Sequence, residues 1–477
     1  MDLILTNMKD LYKRPSILPP VGLSDHSSVL WIPESKTTDN KCTKKQVRKL
    51  CETGMFDFGK WITAHKLTEV YNAQGVSEKA SAFHNTLENA IDTFFPTKSV
   101  KVHNSDKPWV TPKIKQLISL RQKAFHKQSP TVWKFYRNLT QRTLAKAKKT
   151  YYTDRVSSLK AANPRRWYQE IMNMANVRKS DGGITLPGLD TEDSTTIANA
   201  INAKFAEASK ALPALDFTQL PAFLPAPQQL PTLQVWDIYK RLLAVKTNKA
   251  PGPDNIPLKV LKEFACEISS PFCHVLNASF ASGIVPCQWK QAVVVPVPKT
   301  KPAKIDQLRP ISLTSQFSKI AEHFALSWIL KDLTFDNRQF GSLKGRSTVH
   351  ALVSLVDSLF KGTDKPSTIC TLVATAFSKA FDRVHHHTVI TKLLTMGLRP
   401  ELIPWVASFI SDRKQRVRYR GALSEWEHLT CGVAQGTLLG PILFLVLIDD
   451  AASDTSSPVW KYVDDIKTAQ TTFNPTV

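Results

Sequence analysis

The stretch Lys461–Val477 reads KYVDDIKTAQTTFNPTV, and its reading decides what the rest of the chain builds. Two adjacent carboxylates, Asp464 and Asp465, follow Tyr462 and Val463, and twelve residues remain after them. Like charges crowded together are either well solvated or neutralised by something positive. With its lead Pro458–Lys461 (PVWK), the pattern predicts a β-hairpin tip that aims hard oxygen atoms at one place. Mg²⁺ takes such ligands and keeps waters and substrate phosphates as its others. Two metals held by a few carboxylates can activate one hydroxyl and stabilise a leaving pyrophosphate. A surface turn with two acids is the commoner origin of such a tetrapeptide, so the neighbouring sequence must decide.

The charge balance narrows the partner. Among 477 residues, 63 Lys and Arg face 40 Asp and Glu, a formal net charge of +23. A polyanion, either nucleic acid or an acidic membrane surface, suits such an excess. Residues 101–180 concentrate it, with 19 Lys or Arg against three acids, a net of +16. Apolar residues at helical spacing predict two helices there, over 111–128 and 131–160, with Phe125, Trp133, Phe135, Tyr136, Tyr151, Tyr152 and Trp167 among the basic residues. Basic helices with aromatics suit phosphate contacts and base stacking; for the aromatics a plain core role is the simpler expectation, whereas the charge calls for a counter-charge. The seven cysteines are scattered and form no CxxC pair, which argues against a disulfide scaffold and a structural zinc site. The longest apolar run, Ile442–Ile448, is too short to span a bilayer, and no signal peptide is evident, so an intracellular protein of cytoplasm and nucleus, without a membrane partner, is expected.

Further along, 179–194 reads as turns, and a helix over 194–212 is expected with Ser194 as its N-cap. Prolines at 213, 221, 225, 227 and 231 predict an extended linker. From Val235 onward, helices are expected over 235–246, 257–282, 315–332, 348–361, 378–396, 400–412 and 438–452. Strands fit 291–299, 369–377, 415–421 and 425–433, with a closing hairpin through Asp465. The mixture predicts an α+β fold.

Five segments occur in a set order: KAPGPDNIPLKVLK (249–262), QLRPISLTSQFSKI (307–320), QFGSLKGRSTVHAL (339–352), FSKAFDRVHH (377–386) and GVAQGTLLGPILFLVLIDD (432–450). With YVDD they resemble the reverse transcriptases of non-LTR (LINE-like) retrotransposons, particularly the jockey-like and CR1-like groups. The resemblance implies the fingers and palm of a right-hand polymerase over 235–477, a basic helical connecting region over 36–180 and a proline-rich linker over 181–234. LPPVGLSDHSSVL (18–30) is similar to the end of an apurinic-type endonuclease domain, so 1–35 is expected to be a remnant of one, with Asp25 and His26 at its hydrolytic positions.

The resemblance also implies roles. Asp464 and Asp465 would bind the catalytic Mg²⁺ or Mn²⁺, Gln435 and Gly436 would position template and nucleotide, and Arg309 and Lys299 would contact the triphosphate. Phe381 would discriminate against a ribose 2′-hydroxyl. An RNA template, a DNA primer or target, and dNTPs are the implied partners. Two departures stand out. The family places a metal-bridging Asp where this chain has Ala376, and Asp382, about 9 Å further along a continuous helix, is not a spare. After Asp465 the resemblance fades, so the returning palm strand and the thumb are expected to be missing. Impaired template-directed polymerisation is therefore expected; the alternative is a catalytically dead fragment that only binds nucleic acid. The His385–His387 run is not expected to be a metal site, because consecutive helical residues face different directions.

Overall fold

A computed structural model describes residues 14–18, 26, 28–30, 42–103, 107, 109–153, 159, 167–168, 171–172, 193–220, 230–300 and 304–473. It divides into two units, residues 1–47 with 97–182, and residues 48–96 with 183–477. In the smaller unit β1 (Ser16–Leu18) runs antiparallel to β2 (Ser28–Leu30), and β3 (Cys42–Arg48) pairs with β4 (Thr97–His103). Between β3 and β4 the chain enters the larger unit to form α1 (Glu52–His65), α2 (Thr68–Asn72) and α3 (Val76–Phe94).

Back in the smaller unit, the two expected basic helices form as α4 (Pro112–His126) and α5 (Pro130–Thr150). Thr111 caps α4 by accepting the Ile114 amide, with proline at the first helical position, where its missing N–H costs nothing. Ile114, Leu117 and Ala124 supply the buried stripe, while Lys113, Lys123, Lys134, Arg142, Lys146 and Lys149 are exposed. The aromatics divide as both readings foresaw: Trp133 is partly buried and Phe135 is 60% exposed.

The larger unit opens with α6 (Ser194–Ser209). Its N-cap is Asp193, not Ser194: the Asp193 carboxylate accepts the amides of Thr195 and Thr196, which places Ser194 inside the first turn. Next come α7 (Val235–Leu243), α8 (Leu258–Glu263) and α9 (Ala265–Ser282). Phe58 of α1 and Phe83 of α3 share one buried core with Phe272 of α9 and with Trp289 and Phe317. The division expected at 36–180, 181–234 and 235–477 thus differs from the one observed. Residues 48–96 join the larger unit, and α6 is no linker, because Ile197, Ala198 and Ile201 pack on Val294, Leu308 and Val417. The turns expected over 179–192, the prolines of 221–229 and Asp25 lie outside the described residues.

Two sheets follow. β5 (Gln291–Pro298) lies between β6 (Leu308–Thr314), which is antiparallel to it, and β8 (Arg413–Tyr419), which is parallel. Only Gln291–Val294 pair with β8, so Pro296 and Pro298 occupy the part of β5 where no second neighbour needs an amide. β9 (Ala422–Leu423) and β10 (Glu427–Leu429) flank β8; the strand expected over 425–433 is reduced to β10. The second sheet has the order β11–β12–β7, with β7 (Thr368–Ala376), β11 (Val459–Tyr462) and β12 (Asp465–Phe473) all antiparallel. Thus the returning strand, expected to be missing, is present as β12, whose Ile466 and Ala469 are buried.

Helices α10 (Gln316–Asp332), α11 (Thr348–Thr363), α12 (His386–Thr395), α13 (Ile403–Ile410) and α14 (Leu439–Ile448) surround these sheets. The helix expected over 378–396 is broken. Lys379 adopts a left-handed conformation, Ala380–Arg383 form a 3-10 turn, and α12 starts only at His386. Asp382 therefore does not stand a fixed helical rise beyond Ala376. Mixed helix and sheet is the architecture expected from the sequence.

Candidate active site

The YVDD segment forms the β11–β12 turn. Val463 takes φ of 58°, costly for a β-branched residue, so something must hold it there. Buried Gln339 does: its Oε1 accepts the amides of both Val463 (3.1 Å) and Gly341 (2.9 Å). A side chain on Gly341 would collide with Val463 Cγ2 at 2.6 Å, so the glycine lets the two loops touch. Below the turn, fully buried Lys461 donates to Asp336 Oδ2 (2.6 Å) and to the Asp449 carbonyl (2.7 Å). Burial raises the Asp336 pKa, but hydrogen bonds from Arg338 and Lys461 outweigh it and hold the carboxyl below the usual carboxylate range. Trp460 Nε1 donates to Ser354 of α11.

Asp465 begins β12 directly opposite Ala376, the last residue of β7. Opposed residues in an antiparallel pair share a face, so a carboxylate at 376 would stand beside that of Asp465. Asp464 turns elsewhere. It lines a cavity of about 350 Å³ together with Lys299, Arg309, Phe381 and Gln435. Five residues singled out in the sequence therefore meet; Asp465 and Gly436 are not part of the lining. In the smaller unit His26 is exposed, and with Asp25 undescribed their pairing has no structural account.

Each wall has an identifiable support. Arg309 faces Val297 across β6–β5, and the Lys299 amide bonds the Gln307 carbonyl, so both cations flank the same hairpin end. The Phe381 ring stacks on Phe444 of α14 at 5.1 Å. Gln435 is fixed by its carbonyl, which accepts the Ser312 amide of β6 at 2.7 Å. Buried Glu322 of α10 accepts the amides of Leu438 and Leu439, anchoring the far end of the same loop and the start of α14.

Asp382, set aside in the sequence, also lines the cavity and accepts from Gln435 Nε2 at 3.4 Å. Burial pushes its pKa up, partly countered by Gln435 and by Lys379 and Lys299. The three histidines diverge: His385 meets Thr388, His386 bonds the Gly432 carbonyl, and His387 reaches the Gln219 carbonyl. Asp449 accepts the Asp336 amide and Asp450 pairs with Lys392, so neither faces the cavity.

Adjacent carboxylates at a turn, with Asp464 lining a cavity shared with Lys299 and Arg309, have the oxygen chemistry a divalent ion takes when it brings other ligands of its own. Ala376 contributes no oxygen ligand from its side chain, and among the described residues no group of three His, Cys, Asp or Glu could hold a metal ion.

Comparison with known proteins agrees with this geometry. Residues 297–472 match the family "Reverse transcriptase (RNA-dependent DNA polymerase)", a span that includes β12 up to its last residue but one. Over 273 residues, 55% of this chain, it is 28% identical to a "Probable RNA-directed DNA polymerase from transposon BS" of Drosophila melanogaster. It is 26% identical over 277 residues to the "RNA-directed DNA polymerase from mobile element jockey" of the same organism. Each alignment covers 30% of the relative's length, so the chain corresponds to less than a third of those proteins. Residues 297–472 thus carry a domain similar to the reverse transcriptases, and the relatives it resembles are named as RNA-directed DNA polymerases. A second jockey relative, the "RNA-directed DNA polymerase from mobile element jockey" of Drosophila funebris, is 26% identical over 254 residues.

Proposed function

We propose that the cavity is the polymerisation site of an RNA-directed DNA polymerase, with β5–β6 as fingers and β7, β11 and β12 as palm. The observation that carries this reading is the convergence of Asp464, Arg309, Lys299, Phe381 and Gln435 on one cavity. The primer 3′-hydroxyl loses its proton to solvent water as its oxygen attacks the α-phosphorus of a dNTP; the new O–P bond forms as the bond to the β-phosphate bridge breaks, and pyrophosphate leaves. Asp464 and Asp465 would hold a Mg²⁺ or Mn²⁺, which would supply charge neutralisation at the phosphoryl oxygens and lower the pKa of the attacking hydroxyl. Arg309 grips phosphate through its fork of N–H donors, and Lys299 adds a point charge. Phe381, fixed against Phe444, stands as the wall that a ribose 2′-hydroxyl would meet. Gln435 and Gly436, braced on β6, support the template–nucleotide pair.

Ala376 favours a second reading, in which the chain binds RNA and DNA but polymerises poorly or not at all. Losing one of three carboxylates costs about 3 kcal/mol or more of transition-state stabilisation, roughly a hundredfold in rate. The test is dNTP incorporation on a primed RNA template with Mg²⁺ or Mn²⁺, comparing the unaltered chain with Ala376→Asp. A gain of about a hundredfold in Ala376→Asp is expected. Equal rates would refute the missing-ligand account, and silence from both, with nucleic-acid binding retained, would favour the binding-only reading.

A further inference from the structure

Helix α6 (Ser194–Ser209) lies outside the residues that match the reverse transcriptase family, yet it forms part of the cavity. Lys204 and Phe205, on its third turn, line the cavity along with Lys299 and Arg309. The helix is firmly seated. Ile197, Ala198 and Ile201 are buried against β5, β6 and β8, Asn202 Nδ2 donates to the Glu425 carbonyl at 2.9 Å, and Gln415 Nε2 donates to Asn202 Oδ1 at 3.2 Å. At its C-terminal end the Ser209 carbonyl accepts the amides of Thr430 and Cys431. The Lys204 stem is therefore carried by a fixed element, and only its tip has freedom.

That tip is held between two carboxylates. Nζ lies 2.9 Å from Glu207 Oε2 and 3.5 Å from Asp306 Oδ1, and the two acids are 62% and 70% exposed. Exposed pairs of this kind are weak. A polyphosphate has several charged oxygens and forms stronger, charge-assisted bonds, so it can displace Asp306 without moving the helix.

We infer that α6 is a wall of the nucleotide site and that Lys204 is a further cation on the triphosphate, beside Lys299 and Arg309 of the β5–β6 hairpin end. This rests on the polymerase reading. Phe205 and Ile305 give the cavity its apolar lining here, each packed on the core that α6 shares with β5, β6 and β8.

Equilibrium binding of Mg²⁺–dATP and of dAMP to the full chain tests the inference. Lys204→Ala is expected to weaken dATP binding about tenfold and dAMP far less, whereas Lys204→Arg, which keeps the charge, retains most of the affinity. Lys210→Ala, whose ammonium pairs with Glu427 away from the cavity, leaves both unchanged. Arg309→Ala is the reference for the polymerase reading. If Arg309→Ala weakens dATP binding and Lys204→Ala does not, the role of Lys204 is refuted while the reading stands. Equal losses for dATP and dAMP in Lys204→Ala would reveal a structural effect and refute it as well. If the unaltered chain binds no dATP, or Arg309→Ala changes nothing, the nucleotide site itself is wrong and the inference falls with it.

Discussion

A methyl group on Gly436 would stand 2.5 Å from the Ser312 carbonyl oxygen, and the backbone there has φ of +123°. Both facts demand glycine, because the loop lies flat against β6. Gly436→Ala is therefore expected to push the loop off β6 and cost about 1–3 kcal/mol of stability, together with most nucleotide affinity. Urea unfolding and dATP binding measure the two, and normal dATP affinity in a folded variant would refute the link. His386 gives a pH prediction. Burial is the main cause that lowers its pKa to about 4 from 6.5, with the bond to the Gly432 carbonyl opposing. Between those values the unfolded chain takes up a proton that the folded chain refuses, so stability falls as pH falls. From pH 7 to pH 5 the loss from this residue is about 2 kcal/mol. Buried His84, also held near 4, adds a slope of the same sign, and Glu88, raised to about 7, one of the opposite sign. Comparing the urea midpoint of the unaltered chain and of His386→Gln at both pH values isolates His386; an unchanged slope in the variant would contradict the assignment. Residues such as Asp464, Arg309 and Gln435 were legible because their chemistry sits in short ordered motifs. Gln339, Glu322 and Asp382 were not, since each acts on backbone or side chains brought near only by folding.

Among elements, the β11–β12 hairpin depends on supports far away in sequence. Gln339→Leu leaves the amides of Val463 and Gly341 without their acceptor, at about 1–3 kcal/mol each. The expected result is a clear drop in the urea midpoint and protease cleavage near Val463, while a variant as stable as its parent would show that water or another acceptor replaces the amide oxygen. Most helices and strands were readable from periodicity. The errors have local causes. The sequence 378–396 has helical composition throughout, yet the left-handed Lys379 and the 3-10 turn interrupt it so that Gly432 can pack against the Asp382 carbonyl, where a Cβ would come within 2.6 Å. β12 goes against the expectation that rested on the resemblance fading after Asp465, and its sequence KTAQTTF has little apolar content. Its stability comes instead from pairing on both sides, with β11 and with β7 from Asp465–Ala376 to Phe473–Thr368.

For the whole molecule, composition located the positive charge correctly but could not divide the chain. Residues 48–96 hold five Lys or Arg against six Asp or Glu, a weak signal beside their basic neighbours, and tertiary packing of Phe58 and Phe83 assigns them to the larger unit. The excess of +16 over 101–180 remains to be balanced. Its exposed lysines and arginines on α4 and α5 suit a phosphate backbone, whose binding releases counterions and so weakens with salt. The logarithm of the association constant for RNA or DNA is expected to fall linearly with the logarithm of salt concentration. Replacing Lys134, Arg142, Lys146 and Lys149 together by Gln should reduce the slope by about 0.7–0.9 for each phosphate that is no longer neutralised, and should weaken different sequences alike. Polymer binding and dATP binding then become separable. The four-residue variant should keep its affinity for Mg²⁺–dATP, because none of those side chains lines the cavity, and a salt-independent affinity in the unaltered chain would show that the basic helices serve another purpose.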